Sequence, residues 1–115
     1  MKVSLDQWNS FTATHPEIHL LQTGSWGELK SSFGWKPVRV INDTDGTQIL
    51  FKRLPGGSSI GYIPRGPVGK LTEKLLAEID QICREERAVF LKLEPDAWAG
   101  EQPDLVEKLK GWRPA

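Results

Sequence analysis

Few side chains in this sequence stand at spacings that perform chemistry. His15 and His19 are four residues apart, a separation that suits two metal ligands on one helical face, but Pro16 between them denies them that face. Gly69-Lys70 follows strand-forming residues, as a phosphate-cradling loop would. Such a loop needs a glycine five positions before Gly69 and a hydroxyl residue after the lysine, and Pro64 and Leu71 stand there instead. Cys83 is the only cysteine, which excludes an internal disulfide and a cysteine-based zinc site. It falls on the apolar side of a helical pattern, where a packed and inert thiol is expected. No Ser/His/Asp or Cys/His order is present that would support nucleophilic catalysis. Arg65 stands between Pro64 and Gly66, where a strand meets the start of a helix, in a turn stiffened by Pro64 and Pro67.

The elements that position these residues follow from capping and periodicity. Ser4-Leu5-Asp6-Gln7 has the form of a capping box, with Leu5, Trp8 and Phe11 at helical spacing and Pro16 ending the segment. Ile18 to Gln22 reads as a first strand. Ser25-Trp26-Gly27-Glu28 reads as a second capping box, with Trp26, Leu29 and Phe33 on one face and Gly34 as a left-handed cap. The aromatic set Trp8, Trp26, Phe33 and Trp35 is expected in the core. Strand-like patterning then runs from Trp35 to Pro64. Val38 to Ile41 is followed by the hairpin signal Asp45-Gly46, a return strand at Thr47 to Leu54, a turn at Pro55 to Ser58 and a strand at Ser59 to Ile63. Leu71, Leu75, Leu76, Ile79, Ile82 and Cys83 mark an amphipathic helix, Ala88 to Leu93 a more buried strand, and Asp104 to Glu107 a fourth helix start. The expected architecture is α+β, an antiparallel meander with flanking helices joined by a helical crossover to a further strand.

Composition narrows the class. The chain has 115 residues, the size of a single domain spanning 1–115, and its 38% hydrophobic content is that of a globular protein rather than a disordered tail. No stretch approaches the roughly 18 apolar residues of a membrane span. With no apolar leader after Met1, the expected location is cytoplasmic, where the acceptor pattern Asn42-Asp43-Thr44 would not be glycosylated. Net charge is zero, unlike the basic excess of a stand-alone nucleic-acid binder. The distribution is uneven, however: Glu28 to Lys70 holds seven basic and three acidic residues, a bias that can mark a face meeting phosphate or carboxylate.

Several segments together resemble the N-terminal part of the FemABX family, the peptidoglycan interpeptide-bridge aminoacyltransferases. They are His19-Leu20-Leu21-Gln22 leading into Trp26-Gly27-Glu28-Leu29-Lys30, then Phe33-Gly34-Trp35, then Gly61-Tyr62-Ile63-Pro64-Arg65-Gly66-Pro67, and finally Phe90-Leu91-Lys92-Leu93-Glu94-Pro95. The resemblance implies a GNAT-like (acyl-N-acyltransferase) subdomain, one of the two that a family member uses. It implies transfer of an amino acid from aminoacyl-tRNA to a stem-peptide amine of lipid II or a UDP-MurNAc-peptide, with no metal and no coenzyme A as cofactor. Coenzyme A is disfavoured on the residues too, because Arg65-Gly66-Pro67-Val68-Gly69 departs from the pyrophosphate pattern of acetyltransferases and Pro67 removes a backbone donor.

By the same resemblance Lys30 is a substrate-binding residue holding precursor phosphate, where a compact ammonium suits a diphosphate. Arg65 joins it as a second substrate-binding candidate. Glu94 is the catalytic candidate, placed to orient or deprotonate the attacking amine. Because the resemblance covers only the first subdomain, the unit is expected to be incomplete. The alternative function is a non-catalytic binding or assembly module derived from this fold, and an unfinished sheet edge would pair with a second copy as a homodimer.

Overall fold

A computed structural model describes residues 1–94; the loop after Glu94 and the helix start at Asp104 lie outside the described residues. Helix α1 (Leu5–Thr12) opens as its sequence dictates: Ser4 Oγ accepts from the Gln7 N–H at 3.2 Å, and Gln7 Oε1 accepts from the Ser4 N–H at 2.8 Å. Just before it, Lys2–Val3 forms β1, a strand too short to leave a periodic signature. Helix α2 spans Gly24–Ser31, and Gly34, at φ +90°, turns the chain out of it into β2 (Trp35–Asn42). The strands β3 (Asp45–Arg53) and β4 (Ser59–Pro64) follow, then α3 (Glu73–Glu85) and β5 (Ala88–Glu94).

The five strands form one sheet in the order β1-β2-β3-β4-β5. The first four are antiparallel to their neighbours, while β5 returns through α3 to lie parallel to β4. This is the α+β meander with a helical crossover that the element order implies. The face toward α3 holds the main core: Val38, Val40, Ile49, Phe51, Ile63 and Leu91 pack against Leu75, Ile79, Ile82 and Cys83. Burial, together with the charge of Asp80, pushes the Cys83 thiol up to about 12, so it is an inert packing group. The opposite face carries α1, α2 and the segment between them.

Several local expectations give way to tertiary contacts. Ile18 to Gln22 is not a strand; Leu20–Gln22 is a 3-10 turn whose start is capped by His19 Nδ1, 3.1 Å from the Leu21 N–H. The second helix is capped by Thr23, whose hydroxyl accepts from the Trp26 N–H at 3.2 Å, two residues before the expected Ser25. Glu28 is therefore free of capping and pairs instead with Arg39 at 3.2 Å. The hairpin turns at Asp43-Thr44, since Asn42 pairs with Asp45. Gly46 is the first step of the return strand, and its missing side chain serves packing: a Cβ there would lie 3.0 Å from Trp8 Cζ3 and 2.8 Å from the Val40 carbonyl.

The aromatic set divides. Trp8 is fully buried, whereas Phe33 is 64% exposed and Trp26 and Trp35 are half-buried at the surface. Nor is β5 the more buried strand expected. It is the outer strand among the described residues, a register shift falls between Ser59 and Ile60 opposite it, and Val89 and Phe90 are 63% and 56% exposed.

Candidate functional site

Strand alternation decides which residues share the face opposite α3. With Val38, Ile49, Ile63 and Leu91 turned to the α3 core, Trp35, Lys52, Tyr62, Phe90, Lys92 and Glu94 fall on the other side. Helix α2 covers the β2–β3 half of that side and leaves Tyr62, Phe90, Lys92 and Glu94 at least partly open. Lys30, on the last turn of α2, belongs to the same face.

A buried polar network holds α2 in place. Gln22 is fully buried, and its carboxamide completes the sheet where β3 and β4 part: the Gln48 N–H donates to its Oε1 at 2.8 Å, and its Nε2 donates to the carbonyls of Pro64 at 2.8 Å and Gln48 at 3.2 Å. The Gln48 side chain continues the chain of bonds, donating to the Thr23 carbonyl at 2.9 Å and accepting from Arg39 Nε at 2.8 Å. Arg39, 7% exposed, then meets Glu28. Gly27 lets the helix press close, because a Cβ there would come within 2.3 Å of Gln48 Oε1. None of Gln22, Gln48 or Arg39 stood out in the sequence as a structural centre. The one available signal was a glutamine closing an otherwise apolar run.

The three candidate residues fall into two groups. At one end of the face, Lys30 Nζ lies 5.8 Å from the Trp26 ring centroid and 5.6 Å from that of Trp35, with Lys52 Nζ 5.5 Å from Trp35. At the other, Arg65 and Glu94 share the neighbourhood of Tyr62. The Tyr62 hydroxyl donates to Glu94 Oε1, and Lys92 Nζ lies 3.4 Å from Glu94 Oε2. Arg65 is exposed, with φ +53°, on the turn that Gln22 ties down through Pro64. Since Lys52 pairs with Ile60 and Glu94 with Pro64, the two groups stand four residues apart along β4, roughly 13 Å. Arg65 and Glu94 are thus brought together, and Lys30 is on their face but not beside them. Among the described residues no group of three or more His, Cys, Asp or Glu side chains could hold a metal, so His15 and His19 do not converge with a third ligand there.

Electrostatics at the Tyr62 end are set by these contacts. Burial, then the hydrogen bond to Glu94 and its negative charge, push the Tyr62 phenol up to about 12, against the opposing charge of Arg65. The Tyr62 hydrogen bond, aided by Lys92 and Arg65, holds the Glu94 carboxyl below the usual range despite some desolvation. Glu94 is therefore a fixed carboxylate at neutral pH and a weak base.

Tyr62 is the only tyrosine in the chain, so phenolate absorbance reports it alone. Its ultraviolet titration is expected to have a midpoint near 12, and Glu94→Gln is expected to lower that midpoint toward the ordinary value of about 10. A raised phenol pKa adds stability that is fully present below about pH 10 and is lost as pH climbs from there toward 12. A midpoint that Glu94→Gln leaves unmoved would show that the pair does not form.

Comparison with known proteins places these observations. Residues 3–107 match the FemAB family. The chain is 31% identical over 121 residues to the protein named Lipid II:glycine glycyltransferase of Staphylococcus aureus, and to its counterpart in strain USA300, covering 96% of this chain and 29% of each relative. The chain thus spans under a third of the length of these relatives. A crystal structure of FemX superposes with a TM-score of 0.75 at 30% identity, over 96% of this chain and 30% of that one. No helix among the described residues is long and apolar enough to cross a membrane.

Proposed function

The chain belongs to the FemAB family, and from that membership we propose that it forms the precursor-binding lobe of an aminoacyltransferase of the peptidoglycan-bridge class. The reaction is aminolysis of an ester. A stem-peptide amine on lipid II or a UDP-MurNAc-peptide attacks the carbonyl carbon of an aminoacyl-tRNA; the new amide forms as the ester C–O bond breaks, and the tRNA hydroxyl leaves with a proton. Because the ester is already activated, holding the two reactants together supplies much of the acceleration. The observation that supports this reading is that Lys30 and Glu94 lie toward opposite ends of one partly open side of the sheet, with Arg65 on the turn near Glu94. Four antiparallel strands followed by a helix and a parallel fifth support its assignment to the acyl-N-acyltransferase type.

In this reading Lys30 holds precursor phosphate from the rim of α2, and Arg65 contributes a second positive charge on an exposed turn. Glu94, kept ionised by Tyr62 and Lys92, draws the acceptor ammonium into position and is too weak a base to store its proton for long. Lys30→Ala is expected to weaken binding of UDP-MurNAc-pentapeptide about tenfold, measured by calorimetric titration of the 115-residue chain. Equal affinity in the variant would remove Lys30 from the site.

A second reading is a binding module without turnover of its own, since Glu94, held below its usual range by Tyr62, is a weak base. Assaying amino-acid transfer from charged tRNA separates the two: turnover by this chain alone rejects the binding-module reading.

A further inference from the structure

We propose that Lys52 is the second arm of a diphosphate grip whose first arm is Lys30, the two held apart and aimed by the indole of Trp35. This rests on the reading of Lys30 as a phosphate contact. Trp35 and Lys52 are directly paired across β2 and β3, so both side chains rise from the same face of the sheet. Lys30 approaches the same ring from α2, leaving two ammonium groups at 5.6 and 5.5 Å from one centroid. The separation of the two nitrogens therefore cannot exceed about 11 Å, a gap that two flexible four-carbon stems can close around one diphosphate.

Lys2, Lys36 and Lys92 each meet a carboxylate, but neither Lys30 nor Lys52 has one within salt-bridge distance among the described residues. Both ammonium groups instead lie within 5.6 Å of the centroid of one neutral ring that attracts cations. Lys52 is steadied further by donating to the Phe33 carbonyl at 3.3 Å, at the bend where Gly34 turns α2 into β2. The arrangement brings two positive charges to one ring, which suits a ligand with two adjacent phosphates. A single phosphate would leave one ammonium unused.

The test is calorimetric titration of the full chain and of its Lys30→Ala, Lys52→Gln and Lys52→Arg variants with UDP-MurNAc-pentapeptide, UDP and UMP. Lys52→Gln is expected to weaken the two diphosphate ligands about tenfold while leaving UMP within twofold of wild type. Lys52→Arg, which keeps the charge, is expected to recover most of the loss. If Lys30→Ala weakens binding and Lys52→Gln does not, the second arm is refuted and the reading of Lys30 survives. The same holds if Lys52→Gln weakens UMP and UDP alike, because Lys52 would then not be reading the second phosphate. No binding by wild type, or no loss in either single variant, overturns both ideas together.

Discussion

Trp8→Ala is expected to lower the unfolding free energy by about 4 kcal/mol, the cost of emptying a fully enclosed aromatic site. The indole is 0% exposed, with its ring centroid 5.3 Å from that of Phe11 and its edge against Gly46. It is also tied by its polar end: Trp8 Nε1 donates to the Gln22 carbonyl at 2.9 Å, and truncation leaves that buried acceptor without its partner. Trp8→Phe separates the two contributions. It keeps most of the apolar filling, loses the hydrogen bond and is expected to cost about 2 kcal/mol. Urea denaturation followed by far-ultraviolet circular dichroism gives both values. An alanine variant within about 1 kcal/mol of wild type would mean that α1 does not seal this face.

Gln22→Ala is expected to cost nearly as much, about 3 kcal/mol, although it removes only a small polar group. The reason is what it leaves behind. The Gln48 N–H and the carbonyls of Gln48 and Pro64 all lose a buried partner, at the place where no strand neighbour can replace it. Gln22→Glu is a sharper test than alanine. A carboxylate can accept from the Gln48 N–H but presents only acceptors to the two carbonyls, so it is expected to be at least as destabilising as alanine at neutral pH. Hydrogen exchange at Gln48 reports the defect locally, and its amide is expected to lose protection in both variants. Unchanged exchange at that amide would show that the carboxamide does not bridge β3 to β4. Because Trp8 bonds the backbone of Gln22, the losses from the two sites are expected not to add.

The same two residues show how far the sequence could be read. Ser4 and Gln7 announce α1, Gly34 announces the end of α2, and Leu75, Ile79, Ile82 and Cys83 announce the buried side of α3, because each signal is a contact between residues close in the chain. The strands at Ser59 and Ala88 and the meander between Trp35 and Pro64 were legible for a similar reason, through alternation and turn residues. At the candidate site, Lys30 and Glu94 came from the family resemblance and Arg65 from its place in a stiff turn, but nothing in the sequence signalled that Tyr62 hydrogen-bonds Glu94 or that Lys52 shares an indole with Lys30.

What the chain order determined by itself was the succession and type of most elements, since caps and periodicity act over a few residues. Tertiary structure alone decided the burial of Gln22 and Arg39, the use of Gly46 for packing, and the exposure of Phe33 and Phe90. A glutamine is stable in a core only where distant backbone groups need its carboxamide, and an aromatic is stable at a surface only where no layer arrives to cover it. Both conditions depend on segments far apart in the chain, here Gln22 with Gln48 and Pro64, which meet only once the sheet has formed.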